Sequence, residues 1–291
     1  MRRTDLAVES GALFQAGGGR ASTLPGVAVE ERLREGISVT AVKILDRAGE
    51  EALGKPQGTY VTLELEGLAR RAQGIFTRGV HAVAGELRDL LEPLAPEGLV
   101  LVAGLGNRAI TPDAVGPLVH GHTLITRHLV GQLPEQFGYL RPVASLAAEV
   151  LGSTGVESAE VVRAVCERIK PACVLAVDAL ASRSLKRLCR TVQLSDTGIT
   201  PGSGVGNHRM GLNRESLGVP VIAIGVPTVV DGATLAADLT GQEAVDVGRD
   251  VVVTPRDIDS QVADLGKLIG YGVSLALQPE LTLEDLELLL S

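Results

Sequence analysis

Tryptophan is absent from this chain of 291 residues, and phenylalanine and tyrosine occur three times each. With 45% hydrophobic residues and so few rings, any core must be aliphatic. The three cysteines, Cys166, Cys173 and Cys189, are an odd number without Cys-x-x-Cys spacing, which fits a reducing cytoplasm rather than a disulfide framework. Basic excess is lacking too. Lys and Arg number 27 against 35 Asp and Glu, a net charge of −8, so the footprint of direct nucleic-acid binding is missing. That charge still favours encounter with a basic protein. The greasiest stretch, 219–230, is too short to span a bilayer and contains Pro220 and Pro227. Asp5 and Glu9 stand where a signal peptide needs an apolar run. A soluble, cytoplasmic protein without a membrane partner is expected.

What the chain does have is a set of short aliphatic runs ending near carboxylates. The stretch 100–113 passes from Val100-Leu-Val-Ala103 through Gly104, Gly106 and Asn107 to Asp113, and Cys173-Val-Leu-Ala-Val177 runs directly into Asp178. Such runs read as buried strands of a parallel sheet, and ligands collect beyond the carboxyl ends of such strands. The two acids, 65 residues apart, are therefore a candidate catalytic pair. Asp113 has a plainer reading as a first-turn helix acid, and Asp178 as a turn cap. If both face one cleft, one stays ionised to take a proton from water while the other donates to the carbonyl oxygen or leaving amine.

Alternation predicts strands over 37–45 and 59–66, joined through a turn at 54–58. Helical spacing of Ile75, Val80, Val83, Leu87 and Leu90 predicts a helix within 68–91. Further helices are expected over 114–129 (Thr111 as N-cap), 157–170, 182–190 and from the opening Thr254-Pro-Arg-Asp257 to 277, with a capped one from Thr282. Strands are expected at 99–103, 173–177, 191–194, 219–226 and 251–253. The order implies an α/β fold, a mainly parallel or mixed sheet covered by helices on both faces.

Other constellations carry less. Asp196-Thr197-Gly198 matches the triplet of pepsin-type enzymes, but those are two-lobed β proteins and this triplet has no second copy. Asp196 reads as shaping the entry to the loop Gly202-Ser-Gly204-Val-Gly206-Asn207, a candidate active-site or anion-binding loop without the Lys-Ser/Thr of a P-loop. His120, His122 and His128 cluster in sequence without His-Glu-x-x-His spacing, and no metal or cofactor is expected. The cysteines read as core thiols, and no Gly-x-Ser-x-Gly elbow is present.

Several stretches together resemble the germination protease family of spore-forming bacteria: Arg3-Thr-Asp-Leu-Ala-Val-Glu9, Gly104-Leu-Gly-Asn107 with Thr111-Pro-Asp113, Val177-Asp-Ala-Leu-Ala-Ser-Arg183, 193–207 and 222–231. The resemblance implies an α/β fold similar to the hydrogenase maturation proteases. It also implies an endopeptidase of the forespore and spore interior that degrades small acid-soluble spore proteins, made as a zymogen and assembled as a homotetramer. The family's two essential aspartates fall on Asp113 and Asp178, with no established catalytic metal. Thr4-Asp-Leu-Ala-Val-Glu9 is similar to the substrates' cleavage sequence, which implies self-cleavage between Asp5 and Leu6. The expected organisation is a pro-segment over 1–5 and one α/β domain over 6–291. The pro-segment is short for the family, and the chain is compact at 239–251, where better-known members of the family carry a long insertion. Two rivals stay open: a metal-dependent maturation-type protease using Asp113, Asp178 and one of the three histidines, and a non-catalytic anion-binding module built on 202–207.

Overall fold

A computed structural model describes residues 24–202, 210–241 and 251–290. Among them, nine strands share one mixed sheet in the order β1-β2-β3-β7-β8-β6-β4-β5, with β9 paired to β8. The antiparallel half comprises β1 (Val27–Arg34), β2 (Ile37–Ile44), β3 (Gly58–Glu64) and β7 (Thr191–Ser195). The parallel half comprises β4 (Val100–Leu105), β5 (Val143–Ala148), β6 (Cys173–Ala181) and β8 (Val221–Asp231), and β9 is Val252–Val253. β7 joins the halves by pairing antiparallel with β8. The sheet is thus mixed, with parallel pairing confined to the end that carries the two candidate acids.

The main helices are α1 (Arg47–Leu53), α2 (Ile75–Leu91), α3 (Val115–Gly121), α4 (Arg127–Gln132), α5 (Ser158–Ile169), α6 (Gly232–Thr240), α7 (Ile258–Leu277) and α8 (Leu283–Leu289). The predicted stripe on α2 is buried throughout: Ile75, Val80, Val83, Leu87 and Leu90 join the aliphatic core with α3, α7 and one face of the sheet. On the other face α5 packs Ala159, Val162 and Cys166 over Leu101, Ala103, Val174 and Ala176. Glycines on α7 let its neighbours approach. A Cβ on Gly266 would lie 2.6 Å from Leu118 of α3, and one on Gly272 would lie 2.8 Å from Val83 of α2. The edge hairpin is tied to α2 by Glu86, 1% exposed, which pairs with Arg32 and Arg34 of β1.

Several expectations are corrected. The helix predicted over 114–129 is broken after Gly121, because Leu124 N–H donates to Ser274 Oγ and Thr126 bonds Val143, pulling the chain toward β5. Thr111 is not an N-cap: it lies inside a 3-10 turn, Thr111–Asp113, without a side-chain cap. The basic helix predicted over 182–190 is a single 3-10 turn, Leu185–Arg187. Its ends are drawn into the sheet instead, Ser182 N–H to the Val229 carbonyl and Cys189 N–H to that of Pro227. β6 and β8 outrun their predicted ends, so Asp178 sits within a strand and not after it. The strands β1 and β5 and the helices α1 and α6 were not anticipated.

One contact positions the whole parallel half. A Cβ on Gly116 would lie 2.2 Å from the Leu105 carbonyl oxygen and 2.7 Å from that of Val177, and one on Gly104 would lie 2.2 Å from the Gly116 carbonyl oxygen. The start of α3 therefore lies directly on the carboxyl ends of β4 and β6, at backbone contact. Gly104→Ala and Gly116→Ala are each expected to destabilise the fold by about 1–3 kcal/mol, since backbone must shift to admit the methyl. Gly121→Ala, with nothing within 4 Å of the added carbon, is expected to stay within about 0.5 kcal/mol. Urea unfolding of the three variants measures the difference.

Candidate active site

The site grows from the end of β4. Gly106, at φ +111°, turns the chain in a conformation that other residues rarely adopt, and a Cβ there would lie 2.1 Å from the Asp113 carbonyl oxygen. The loop then closes on itself: Asn107 N–H donates to Asp113 Oδ2 at 2.8 Å, and Asp113 N–H donates to the Ile110 carbonyl. Thr111 Oγ1 donates to Asp259 Oδ1 at 2.7 Å, tying the turn to α7. The turn lies against β6, β8 and α7. Asp113 is thus neither a loose loop acid nor a helix cap. Its carboxylate is an acceptor that shapes the loop.

Asp178 is 5% exposed and pairs in register with Gly225 of β8, one step past Val177, the last residue of β6 opposite β4. Ala179 N–H donates to its Oδ1 at 2.9 Å. Because strand side chains alternate, Asp178 shares a face with Val174 and Ala176, away from the large core that takes Leu175 and Val177. Burial of a carboxylate at this depth is costly unless its neighbours are polar. The register supplies them. Gly225 pairs with Gln193 of β7, which pairs with Thr62 of β3, so Thr62, Gln193, Gly225 and Asp178 form one row across four strands. Thr191, Gln193 and Ser195 are all buried on this face, while Val192 and Leu194 enter the core opposite.

This polar face was within reach of the sequence. Thr191-Val-Gln-Leu-Ser195 alternates polar with aliphatic residues, and a strand read with both faces buried would have singled out Gln193 as a buried amide near the site. The role of Gly225 could not be read so directly. A Cβ there would lie 2.3 Å from Leu180 Cδ1, so glycine lets Leu180 fold down beside Asp178.

Asp196 takes a different part. Its Oδ1 accepts from Thr59 N–H at 2.7 Å, joining the end of β7 to the start of β3 in the antiparallel half. Gly202 stands in a turn at φ +70°, whereas Gly204, Gly206 and Asn207 lie outside the described residues, as do Asp5 and Leu6. The two ends of this loop are joined by a bridge between Ile199 and Leu212, on the same sheet face as Asp178.

The three histidines do not converge. His120 Nδ1 bonds Ser145 Oγ at 2.7 Å, His122 sets its ring edge-on to Tyr271, and His128 is exposed. Burial, with Arg108 nearby, lowers the pKa of His120; burial, Lys267 and Arg108 lower that of His122. Among the described residues no three His, Cys, Asp or Glu side chains are grouped to hold a metal. Burial pushes the thiols up, Cys166 and Cys173 to about 11 and Cys189 to about 12, far from the range of a nucleophilic cysteine. No described helix is long and apolar enough to cross a membrane.

Comparison with known proteins identifies relatives along nearly the whole chain. A family model described as germination protease matches residues 5–242. A germination protease of Caldanaerobacter subterraneus subsp. tengcongensis is 42% identical, the alignment covering 99% of this chain and 98% of that one. A germination protease of Clostridium perfringens is also 42% identical, over 98% and 97%. One from Bacillus cytotoxicus is 43% identical over 76% of this chain and 60% of its own length. Among solved structures, the [NiFe] hydrogenase maturation protease HycI from Thermococcus kodakarensis KOD1 overlaps with a TM-score of 0.37 at 19% identity, covering 65% of this chain and 98% of that one. That overlap is too loose to carry an argument.

Two outcomes follow from the geometry. Asp113→Asn keeps an acceptor for the Asn107 N–H and should match the wild type in thermal unfolding, whereas Asp113→Ala should lose about 1 kcal/mol. The native protein should resist iodoacetamide at pH 8 at all three cysteines and take up three labels once unfolded in urea, as read by intact mass.

Proposed function

The chain belongs to the germination protease family, peptidases of spore germination that act on protein, and we propose that its chemistry is hydrolysis by Asp113 and Asp178 acting together. The observation that carries this is the placement of a buried Asp178 one step past the last pair of β6 with β4, beside the turn that holds Asp113. Carboxyls that share a site hold one proton between them, since two adjacent negative charges oppose each other. The ionised member takes a proton from water as its oxygen attacks the peptide carbonyl carbon. The protonated member donates to the carbonyl oxygen, and a proton then passes to the leaving amine as the C–N bond breaks. Either aspartate can fill either role in this scheme.

The substrates in this reading are small acid-soluble, DNA-protecting spore proteins, cut in the forespore lineage as the spore germinates. Off DNA such proteins are extended, which suits entry along a sheet edge. The enzyme is made as a zymogen that removes residues 1–5 by cutting between Asp5 and Leu6, and it assembles as a homotetramer. The sequence Thr4-Asp-Leu-Ala-Val-Glu9 supports the first point through its likeness to a substrate site.

Intact mass followed over time tests the scheme. The wild type is expected to lose Met1–Asp5 and to cleave an added spore protein. Asp113→Asn and Asp178→Asn are each expected to be slower by about 10²–10⁴-fold while unfolding at a temperature within a few degrees of the wild type. Cleavage at the wild-type rate by either variant would remove that aspartate from the chemistry.

A further inference from the structure

Among the described residues the sheet ends on β1 and β5, and the two edges differ in chemistry. β1 carries Glu30, Glu31, Arg32 and Arg34, charges of the kind that keep an edge from pairing with another chain. β5 reads Val-Ala-Ser-Leu-Ala-Ala. It has no charge and no proline, and its register with β4 runs without a bulge. Such an edge is a ready template for an added strand.

Four hydrogen bonds fix which way its backbone groups point. Val100 N–H donates to the Pro142 carbonyl, so Pro142 faces β4. Thr126 holds Val143 from the opposite side, donating its N–H to the Val143 carbonyl and accepting the Val143 N–H on Oγ1. Beyond the end of the strand, Ser158 Oγ donates to the Glu149 carbonyl, again on the outer side. Direction alternates along a strand, so Ala144, Leu146 and Ala148 face β4, and Ser145 and Ala147 turn their N–H and C=O outward. Among the described residues, an open ladder of two donors and two acceptors lies between the closures at Thr126 and Ser158. Ala147 is exposed and Ser145 half-buried.

This ladder leads to the site. β4, its neighbour, runs straight into the Gly106–Asp113 loop, and Asn107 Nδ2 meets Ser153 Oγ, just past β5, at 3.4 Å. We propose that β5 is where the substrate docks: an extended segment of the protein substrate adds as a strand along Ser145–Ala147, and its continuation is led to the edge that carries Asp113 and Asp178. The proposal rests on the peptidase reading above and specifies how that site takes its substrate. The short open length favours a transient peptide over a second copy of the chain, because a lasting interface buries about 1,200 Å² or more and Thr126 and Ser158 close the edge on either side. Backbone pairing also explains how one edge can serve many sequences, with alternate side chains left to set preference.

The probe is a synthetic peptide of residues 1–12 of this chain, N-methylated at one backbone nitrogen at a time. Cleavage by the wild type and fluorescence-polarisation binding to Asp178→Asn are both expected to fall about tenfold or more at every second position on one side of the cut, with the interleaved positions close to the unmodified peptide. Hydrogen exchange on Asp178→Asn should show the Ser145 and Ala147 amides protected when the unmodified peptide is added. Ala147→Pro removes an outward donor and no ladder bond, so KM should rise about tenfold with kcat within about twofold and the thermal midpoint little changed. Even tolerance of N-methylation, or amides left unprotected, would overturn the proposal. So would an altered oligomeric state in Ala147→Pro with KM unmoved, which would assign the edge to a second copy. Failure of the wild type to cut the unmodified peptide or a spore protein would count against the peptidase reading, while amide protection would still decide the docking.

Discussion

The start of α3 rests on the ends of β4 and β6 at backbone contact, and most of the parallel half follows from that. Two glycines, Gly104 and Gly116, meet at this junction: a methyl on Gly104 would strike the Gly116 carbonyl, and one on Gly116 the backbone of Leu105 and Val177. Because Gly116 touches both Leu105 and Val177, it fixes the height of α3 against two strands at once. The turn Thr111–Asp113 precedes α3 directly, so its height is fixed as well, beside the strand that carries Asp178. Close packing makes such a junction intolerant of added volume, and that intolerance is what gives the acids a fixed relation.

The sheet divides its labour along its width. Its antiparallel half is sealed by a charged edge strand, by the Glu86 pairs with Arg32 and Arg34, and by Asp196 bridging β7 to β3. The parallel half keeps an uncharged edge, and a buried polar row runs from its β6 and β8 across into β7 and β3. Gln193 and Asp178, each less than a tenth exposed, are groups that a fold built for stability alone would replace with aliphatic residues. Their presence on one face, opposite an aliphatic core, is a cost in stability that the proposed chemistry would account for.

Much of the frame was legible. The helical stripe of α2, the aliphatic runs of β4, β6 and β8, and the capping box Thr282–Asp285 are local patterns whose physical causes lie within a few residues of each other. Asp178 stood out for the same reason, an acid at the end of an apolar run. The failures share a cause as well. The break at Gly121 and the unwinding of 182–190 result from partners far along the chain: Ser274 is 150 residues from Leu124, and Val229 is drawn to Ser182 only because β8 lies beside β6. β1 and β5 are not legible in the sequence because edge strands lack the strong apolar signal of buried ones.

The sequence by itself determined the α/β class, the aliphatic character of the core, the family and the two carboxylates on which the chemistry is argued, since each is written in composition, periodicity or contiguous motif. Only the tertiary structure decided what those residues stand next to. It made Asp113 the clasp of its own loop, set Gln193 and Gly225 in register with Asp178, separated the three histidines and, among the described residues, put β5 at an edge of the sheet. The reason is physical: periodicity reports which side of an element is buried, but the strand order and the glycine contacts that bring distant elements to one edge are properties of the packed whole.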